Sequence, residues 1–259
     1  MLASKTIPRR LLRWSWNWVT PVIDPLKVFI GTSEYAHYLS DWQRYSRLPR
    51  AERLRLGDAI PQLHDRTRTH ELDAHYFYVN GWAMRRIMTN SPSEHVDVGS
   101  EVIFANLLSA VMPVTFMDYR PLGAKLDGLS CIEGDILSMP FVNGCVESLS
   151  CLHVAEHIGL GRYGDPLNPR GTRIATRELS RVLAPAGNLF FAVPVGKERL
   201  CFNAHRIHDP ATIRDYFADL ELVEFSGVRD DGRFVERIDL SEFRDSTYAC
   251  GMFWFRKPD

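Results

Sequence analysis

The sequence predicts an α/β fold with a mostly parallel sheet, preceded by an N-terminal helical extension. Short apolar segments that end in an acid or a glycine alternate with segments of helical periodicity, the pattern of a parallel sheet covered by helices on both faces. The 259 residues, 45% of them hydrophobic and 24% charged, suffice for one large α/β domain and an extension. We therefore expect a basic, Trp-rich extension over 1–70 and an α/β domain over 71–259.

Apolar spacing and turn residues place the elements of the α/β domain. A stripe of apolar residues from Tyr76 to Ile87 predicts its first helix, and Thr172 is a candidate N-cap of a later one. The connection over 119–128 is too short for a crossover helix with its loops. We expect helices over 73–89, 102–110, 173–183 and 210–217, and strands over 95–98, 114–118, 130–133, 146–151, 188–193, 221–226 and 248–255.

The extension over 1–70 is divided by five prolines, which predicts short, irregular and partly helical pieces, with a helix over 50–56. Residues 1–90 carry 14 Lys and Arg against 8 Asp and Glu, whereas the rest carry 17 against 24. The excess of positive charge over residues 1–90 suggests an anionic partner, although a solvated helix face would give the same pattern.

The first 20 residues combine arginines with tryptophans, a composition that favours the interface of an anionic membrane. The residues are Arg9, Arg10, Arg13, Trp14, Trp16 and Trp18. The tryptophans could instead pack on the α/β domain or on a second subunit. No run approaches the roughly 20 apolar residues of a membrane-spanning helix, and we expect no cleaved leader.

The five cysteines include no C-x-x-C pair, and three of them lie in apolar, strand-like segments: Cys131, Cys151 and Cys250. Such cysteines behave as small hydrophobic residues. The pattern favours a reducing, cytoplasmic location over a disulfide framework. The basic N-terminal segment adds the expectation of a peripheral position at the inner membrane.

The ends of the first two predicted strands carry candidate binding residues, because open α/β sheets bind ligands at the carboxyl ends of their strands. Asp97, Gly99 and Ser100 lie where the first strand ends, and the glycine lets the backbone approach a ligand closely. Asp118 ends the second strand, where a carboxylate can accept hydrogen bonds from ribose hydroxyls. Simple turns at both places would use the same residue types.

The segment His153-Val154-Ala155-Glu156-His157 matches the H-x-x-E-H pattern of a class of zinc hydrolases. It follows a buried strand, the glycines after it end any helix, and the sequence offers no clear third ligand. We therefore expect no metal here. We expect His153, Glu156 and His157 to line the ligand cleft, with a histidine as general base toward a hydroxyl.

Two further polar segments are expected at the carboxyl edge of the predicted sheet. The glycine-rich loop over 159–166 suits a polyhydroxylated ligand, although it could merely turn the chain. The segment over 203–208 lies at the same edge and could instead cap the helix that follows. The candidate substrate-binding residues are Arg162, Tyr163, Asp165, Asn203, His205 and Arg206.

With these residues in place, the stretch over 96–194 resembles the class I S-adenosyl-L-methionine (SAM) dependent methyltransferases. The likeness rests on the H-V-x-E-H type segment over 153–157 and on the pattern E-L-x-R-V-L-x-P-x-G over 178–187. More closely, the chain looks like a bacterial family of unknown function associated with cell-surface polysaccharide gene clusters. The segments that carry this closer resemblance are 73–78, 95–100, 152–165 and 202–206.

The resemblance implies a Rossmann-like methyltransferase sheet with an antiparallel last strand. It also implies that Asp97 and Gly99 contact the methionine end of SAM, Asp118 the ribose, and Asp135 with Ile136 the adenine. His153 would lie beside the methyl donor. The chain departs from the family in having Gly99 alone where several glycines are usual.

The expected function is SAM-dependent methyl transfer to a hydroxyl of a glycan or glycolipid precursor in polysaccharide biosynthesis. The expected partners are this acceptor and, peripherally, the inner membrane or polysaccharide assembly enzymes, with no nucleic acid. Two alternatives remain open: a catalytically inactive sugar-binding or scaffold protein with a methyltransferase-like fold, and a metal-dependent hydrolase that uses His153, Glu156 and His157.

Overall fold

The structure, a computed structural model, describes residues 23–70, 72–120 and 122–259. The chain divides into two compact units between residues 71 and 72. The basic, Trp-rich segment over 1–20, for which we expect membrane contact, lies outside the described residues. None of the helices in the described ranges combines the length and the apolar character needed to cross a membrane.

The described residues of the first unit form one long helix, α1 (Pro25–Tyr45). The carboxylate of Asp24 caps it by accepting hydrogen bonds from the backbone N–H groups of Leu26 and Lys27. Pro25 begins this helix rather than breaking it, because the first helical residue needs no N–H donor. The helix predicted over 50–56 is wrong: Arg50 has a left-handed backbone, and only a short 3₁₀ turn follows.

The second unit is built on an eight-stranded sheet in the order β3-β2-β1-β4-β5-β10-β8-β9. The first five strands of this order are parallel, and β10 runs antiparallel to both β5 and β8. The predicted fold class, with its antiparallel last strand, is confirmed. The strands are β1 (His95–Val98), β2 (Val114–Asp118), β3 (Leu129–Glu133), β4 (Val146–Leu152), β5 (Leu183–Val195), β8 (Glu221–Val228), β9 (Phe234–Val235) and β10 (Ala249–Arg256), with a separate hairpin of β6 (Arg199–Cys201) and β7 (His205–Ile207).

Helices cover both faces of this sheet. Apolar side chains of α2 (Ala74–Asn90) and α3 (Val102–Ser109) form one core with one face. Those of α4 (Gly171–Val182) and α5 (Pro210–Tyr216) form a second core with the other face. These four helices match the predicted ones to within a few residues.

The start of α4 differs from the prediction that Thr172 caps it. Arg170 occupies the N-cap position, and Thr172 lies inside the helix. The Thr172 hydroxyl donates to the carbonyl oxygen of Ala155 at 2.7 Å. The threonine therefore ties the helix to the segment after β4 instead of capping a free N–H group.

Candidate active site

Two adjoining cavities lie at the carboxyl edge of the parallel strands; we call them cavity A and cavity B. Cavity A contains about 780 Å³ of space between atoms, part of which is open to solvent. His153 and His157 line both cavities, so ligands in the two would meet at these side chains. Cavity A is also lined by Gly99, Asp118, Asp135, Ile136, Val154, Tyr163 and Asp165, and cavity B by Asp73, His75, Tyr76, Glu156, Arg162, Asn203, Ala204, His205 and Tyr248.

Gly99 forms part of the wall of cavity A, in the turn between β1 and α3. Its backbone is left-handed, with φ at +62°, a conformation that glycine adopts without strain. A Cβ atom here would lie 3.3 Å from the Val154 side chain and 3.4 Å from Oδ2 of Asp118. The missing side chain thus leaves the strand end open to a ligand.

Asp97 and Ser100 lie behind this wall and line neither cavity. The buried Asp97 carboxylate accepts hydrogen bonds from the Ser100 N–H (3.1 Å), from the Ser100 hydroxyl (2.6 Å) and from the Ser150 hydroxyl. Burial raises the pKa of Asp97 to about 6, against the lowering effect of these donors. The structure therefore does not support the predicted contact of Asp97 and Ser100 with a ligand. Their hydrogen bonds stabilise the Gly99 turn from the protein interior.

Asp118 lies at the end of β2 with its carboxylate at cavity A. Its Oδ1 atom accepts a hydrogen bond from the backbone N–H of Arg120 at 2.7 Å, so the carboxylate also shapes the turn. The Arg120 guanidinium lies over the ring of Tyr163, 4.5 Å from its centroid. The loop after β2 and the glycine-rich loop therefore meet at cavity A.

The turn after β3 gives cavity A another part of its wall. The Gly134 N–H donates to the Asp118 carbonyl at 3.1 Å, which holds this turn beside the end of β2. Asp135 is exposed, and its carboxylate accepts from the Leu137 N–H at 2.8 Å. Ile136 is buried and presents an apolar surface. Asp135 thus caps the turn while it lines the cavity.

His153 is the first residue after β4 and has a left-handed backbone, with φ at +58°. Its Nδ1 lies 3.1 Å from Glu156 Oε1 and its Nε2 lies 3.3 Å from Cys250 Sγ. Burial opposes its protonation, but the Cys250 sulfur and the Glu156 carboxylate together raise its pKa to about 10. Both ring nitrogens are therefore engaged, and the general-base role expected of His153 does not fit this arrangement.

His157 is held differently. Its Nδ1 lies 2.6 Å from the Ala204 carbonyl oxygen, a contact that a ring nitrogen makes only as a donor. The lone pair of the neutral ring is consequently on Nε2, which lies 3.7 Å from Glu156 Oε1. Burial opposes ionisation of Glu156, but the hydrogen bond and charge of His153 hold its pKa below its ordinary value. Glu156 thus contacts one histidine and faces the other.

The predicted substrate-binding residues divide into two groups. Arg162, Asn203 and His205 line cavity B, and Tyr163 and Asp165 line cavity A. Asp165 also fixes the glycine-rich loop, since its carboxylate accepts from the N–H groups of Gly159 (2.7 Å) and Tyr163 (3.3 Å).

Arg206 belongs to neither cavity, contrary to the prediction. Its guanidinium donates to the carbonyl oxygens of Ile158 (2.6 Å) and Asn168 (3.1 Å). It holds the two ends of the glycine-rich loop together, and burial lowers its pKa. The arginine therefore has a structural role at the edge of the site.

The structure also brings in residues to which the sequence assigned no functional role. Asp73, His75 and Tyr76 lie at the start of α2, and Tyr248 and Cys250 at the start of β10. The segment over 73–78 carried part of the family resemblance, which was the available signal. Cys250, expected to be a simple hydrophobic residue, contacts His153 through its sulfur.

A protein-family comparison matches residues 143–247 to a family described as "Caenorhabditis protein of unknown function, DUF268". The match covers β4, the H-x-x-E-H segment, the glycine-rich loop and the 203–208 segment, but less than half of the chain. Its description names Caenorhabditis, whereas the sequence resemblance pointed to a bacterial family linked to polysaccharide gene clusters. Among curated proteins, none matches this chain.

Comparison with solved structures gives class I SAM methyltransferases. The N-methyltransferase NodS from Bradyrhizobium japonicum, in complex with S-adenosyl-L-homocysteine, has a TM-score of 0.51 and 17% identity over 72% of this chain and 90% of its own. A putative sarcosine dimethylglycine methyltransferase from Galdieria sulphuraria has a TM-score of 0.53 and 13% identity over 71% and 85%. A third match comes from the complex of a putative methyltransferase with the Haloferax volcanii methyltransferase activator Trm112. It has a TM-score of 0.52 and 16% identity over 71% of this chain and 90% of its own. The second unit thus has the class I methyltransferase fold.

Proposed function

We propose that this protein is a SAM-dependent methyltransferase that methylates a hydroxyl of a glycan or glycolipid precursor in cell-surface polysaccharide biosynthesis. The observation that carries the proposal is the pair of cavities at the carboxyl edge of a methyltransferase-type sheet, with His153 and His157 shared between them. A donor in cavity A and an acceptor in cavity B would meet at these two side chains.

The residues of cavity A fit SAM. The open backbone at Gly99 admits the methionine end, the Asp118 carboxylate is placed for the ribose hydroxyls, and Ile136 offers an apolar surface for the adenine. When bound, SAM supplies an electrophilic methyl group on a sulfonium centre. NodS, one of the solved structures compared above, contains S-adenosyl-L-homocysteine.

In this proposal His157 is the general base. Its Nδ1–H is fixed on the Ala204 carbonyl, which leaves Nε2 to take the proton of the acceptor hydroxyl. The Glu156 carboxylate, 3.7 Å from Nε2, would stabilise the imidazolium that forms. His153, already paired with Glu156, positions that carboxylate instead of acting as the base.

Cavity B is suited to a sugar. Aromatic rings of Tyr76 and Tyr248 offer flat apolar faces, and burial raises the pKa of each phenol to about 12, so both remain neutral hydroxyl donors. Arg162, Asn203 and His205 add polar groups for several hydroxyls. Aromatic faces combined with many polar and charged groups suit the orientation of a polyhydroxylated ligand.

The proposal extends to the surroundings of the enzyme. The basic, Trp-rich segment over 1–20 would hold it in the cytoplasm, at the inner face of the membrane or near polysaccharide assembly enzymes. No nucleic-acid partner enters the proposal. An inactive sugar-binding scaffold would share cavity B but would not need cavity A.

Titration calorimetry with SAM and S-adenosylhomocysteine tests the proposal. We expect binding to the wild-type protein with one site per chain, and an affinity about 10–100-fold lower for Asp118→Ala, since losing a charged acceptor costs about 1.5–3 kcal/mol. Asp215→Ala, at an exposed carboxylate on α5, is the matched control and should bind as the wild type. If neither SAM nor S-adenosylhomocysteine gives a heat of binding while the protein still binds sugar, the methyltransferase proposal is wrong and the inactive sugar-binding scaffold is favoured.

A further inference from the structure

Three side chains from distant parts of the chain converge beside cavity B. His75 lies in the first turn of α2, His153 directly after β4, and Cys250 near the start of β10. One nitrogen from each histidine and the cysteine sulfur all lie within 4.8 Å of one another. Cys250 is fully buried, whereas His75 and His153 line cavity B. The antiparallel direction of β10 brings its first residues to the edge where the parallel strands end.

We propose that His75, His153 and Cys250 form a site for a divalent transition-metal ion of the zinc type. Two imidazole nitrogens and a sulfur are the ligands that Zn²⁺ and similar ions prefer, and they do not suit Mg²⁺ or Ca²⁺. This assignment differs from the H-x-x-E-H site considered from the sequence, which would have used His157. In the part of the chain that the structure describes, the metal-ligand cluster contains His75 and Cys250 in place of Glu156 and His157.

The distances fit such an ion. In a tetrahedral zinc site, bonds of about 2.0–2.3 Å place neighbouring ligand atoms about 3.3–3.8 Å apart. His153 Nε2 and Cys250 Sγ already lie 3.3 Å apart. The His75 ring lies parallel to the His153 ring, with centroids 5.6 Å apart, and a side-chain rotation at the helix start would bring its nitrogen to the ion.

Glu156 supplies an independent observation. Its Oε1 contacts Nδ1 of His153 at 3.1 Å, the carboxylate–histidine arrangement that directs the other ring nitrogen to a metal. Its Oε2 is buried and has no hydrogen-bond partner within the described ranges. The His153 ring thus has a buried carboxylate at Nδ1 and, at Nε2, a sulfur that would become a thiolate on metal binding, and a cation would balance this negative charge. The left-handed backbone of His153 is a further sign of a functional position.

The proposed site has three protein ligands and therefore one open position. Since His75 and His153 line cavity B, that position faces the proposed acceptor cavity. Catalytic zinc sites keep one position for water or substrate, and a bound hydroxyl becomes more acidic. This last role rests on the proposed methyltransferase function, whereas the site itself does not.

Elemental analysis after zinc loading and dialysis tests the site directly. We expect about one zinc per chain, lost in Cys250→Ser and in His75→Ala. Cobalt-loaded wild type should show a thiolate-to-cobalt charge-transfer band that Cys250→Ser abolishes. The matched controls are Cys145→Ser, an exposed cysteine outside the cluster, and His205→Ala, a histidine of cavity B outside the cluster. Both should retain the zinc and the band.

Glu156→Gln should keep the ligands but weaken zinc binding about 10–100-fold in a chelator competition assay, as expected for a lost partner of a ligating histidine. Circular dichroism identifies any variant that fails to fold, and His75→Ala, at a half-buried helix start, is the variant best placed to fold. Failure of wild type to bind zinc, or equal zinc in wild type, Cys250→Ser and His75→Ala, would overturn the site. SAM titration of the same samples separates the two proposals, because zinc without SAM binding contradicts only the methyltransferase.

Discussion

At the scale of single residues, the partners of a side chain decide its chemistry more than its type does. His153 and His157 belong to one short motif, yet the former has both nitrogens engaged and the latter has one free. Asp97 and Asp118 both end strands, yet only Asp118 lines a cavity. These differences depend on neighbours such as Cys250 and Ser150, which are more than 50 residues away in sequence.

Gly99 gives the first residue-scale prediction. Gly99→Ala should lower the stability by about 1–2 kcal/mol, because an L-residue with this left-handed backbone is strained. It should also weaken binding of S-adenosylhomocysteine, since the new methyl group enters cavity A between Val154 and Asp118. Calorimetric titration and urea unfolding measure the two effects. The control is Gly123→Ala, whose Cβ would have no atom within 4 Å and which should change neither stability nor binding. Unaltered binding by Gly99→Ala would show that Gly99 is not part of the ligand site.

His208 gives a prediction of increased stability, in contrast to the loss expected for Gly99→Ala. It is 4% exposed, and within the described residues neither ring nitrogen has a hydrogen-bond partner. An unsatisfied buried polar group costs about 1–3 kcal/mol, so His208→Leu should raise the free energy of unfolding by about 1 kcal/mol. Its backbone bonds to Pro194 and Gly196 do not involve the side chain. Urea denaturation at neutral pH checks this, and a clear loss of stability would show that the ring has a partner.

At the scale of elements, the sequence predicted the sheet well because its signals are local. Apolar runs that end in Asp97 and Asp118 define β1 and β2 regardless of what packs on them. The start of β5 could not be predicted so closely. It begins at Leu183 instead of 188, since a register shift beside β4 accommodates Pro185 and a left-handed Ala186.

The site was predictable only in part, for a related reason. Strand order in a parallel sheet brings the ends of β1, β2 and β4 together, so Gly99, Asp118 and His153 could be grouped from the sequence. His75 and Cys250 reach the same place through the packing of α2 on the sheet and through the reversed direction of β10. Neither fact leaves a periodic signal in the sequence.

The joint between α2 and β8 gives the element-scale prediction. Arg86 donates to the buried carboxylate of Glu224 at 2.9 Å and to Glu236 at 2.7 Å. Arg86→Met should lower the stability by about 3–5 kcal/mol, because it leaves the Glu224 charge buried and poorly compensated. Thermal or urea unfolding measures the loss. Arg85→Met, one residue away and exposed, is the matched control, and equal stability of the two variants would contradict the argument.

At the scale of the whole molecule, buried ionisable groups connect stability to pH. Burial lowers the pKa of His95, which lies between the hydroxyls of Ser148 and Ser150, to about 3. Folding therefore keeps His95 neutral over a range in which the unfolded chain is protonated. Its contribution is present above its unfolded pKa of about 6.5 and is lost as the pH falls toward 3. Asp97 acts in the opposite direction, since its raised pKa of about 6 favours the fold at lower pH.

Two variants separate these opposing effects in the last prediction. Each histidine of this kind contributes a slope of about 1.4 kcal/mol per pH unit, so His95→Gln should flatten the loss of stability between about pH 6 and pH 4 by that amount. Asp97→Asn should make the loss of stability in this pH range steeper by a similar amount. Of His95 and Asp97, only Asp97 stabilises the fold as the pH falls, and this variant removes it. Urea unfolding at half-unit pH intervals, with chelator present, gives the slopes. A uniform loss of stability in either variant shifts its curve of stability against pH without changing the slope. Parallel curves for wild type and His95→Gln would mean that His95 is not held neutral in the folded chain.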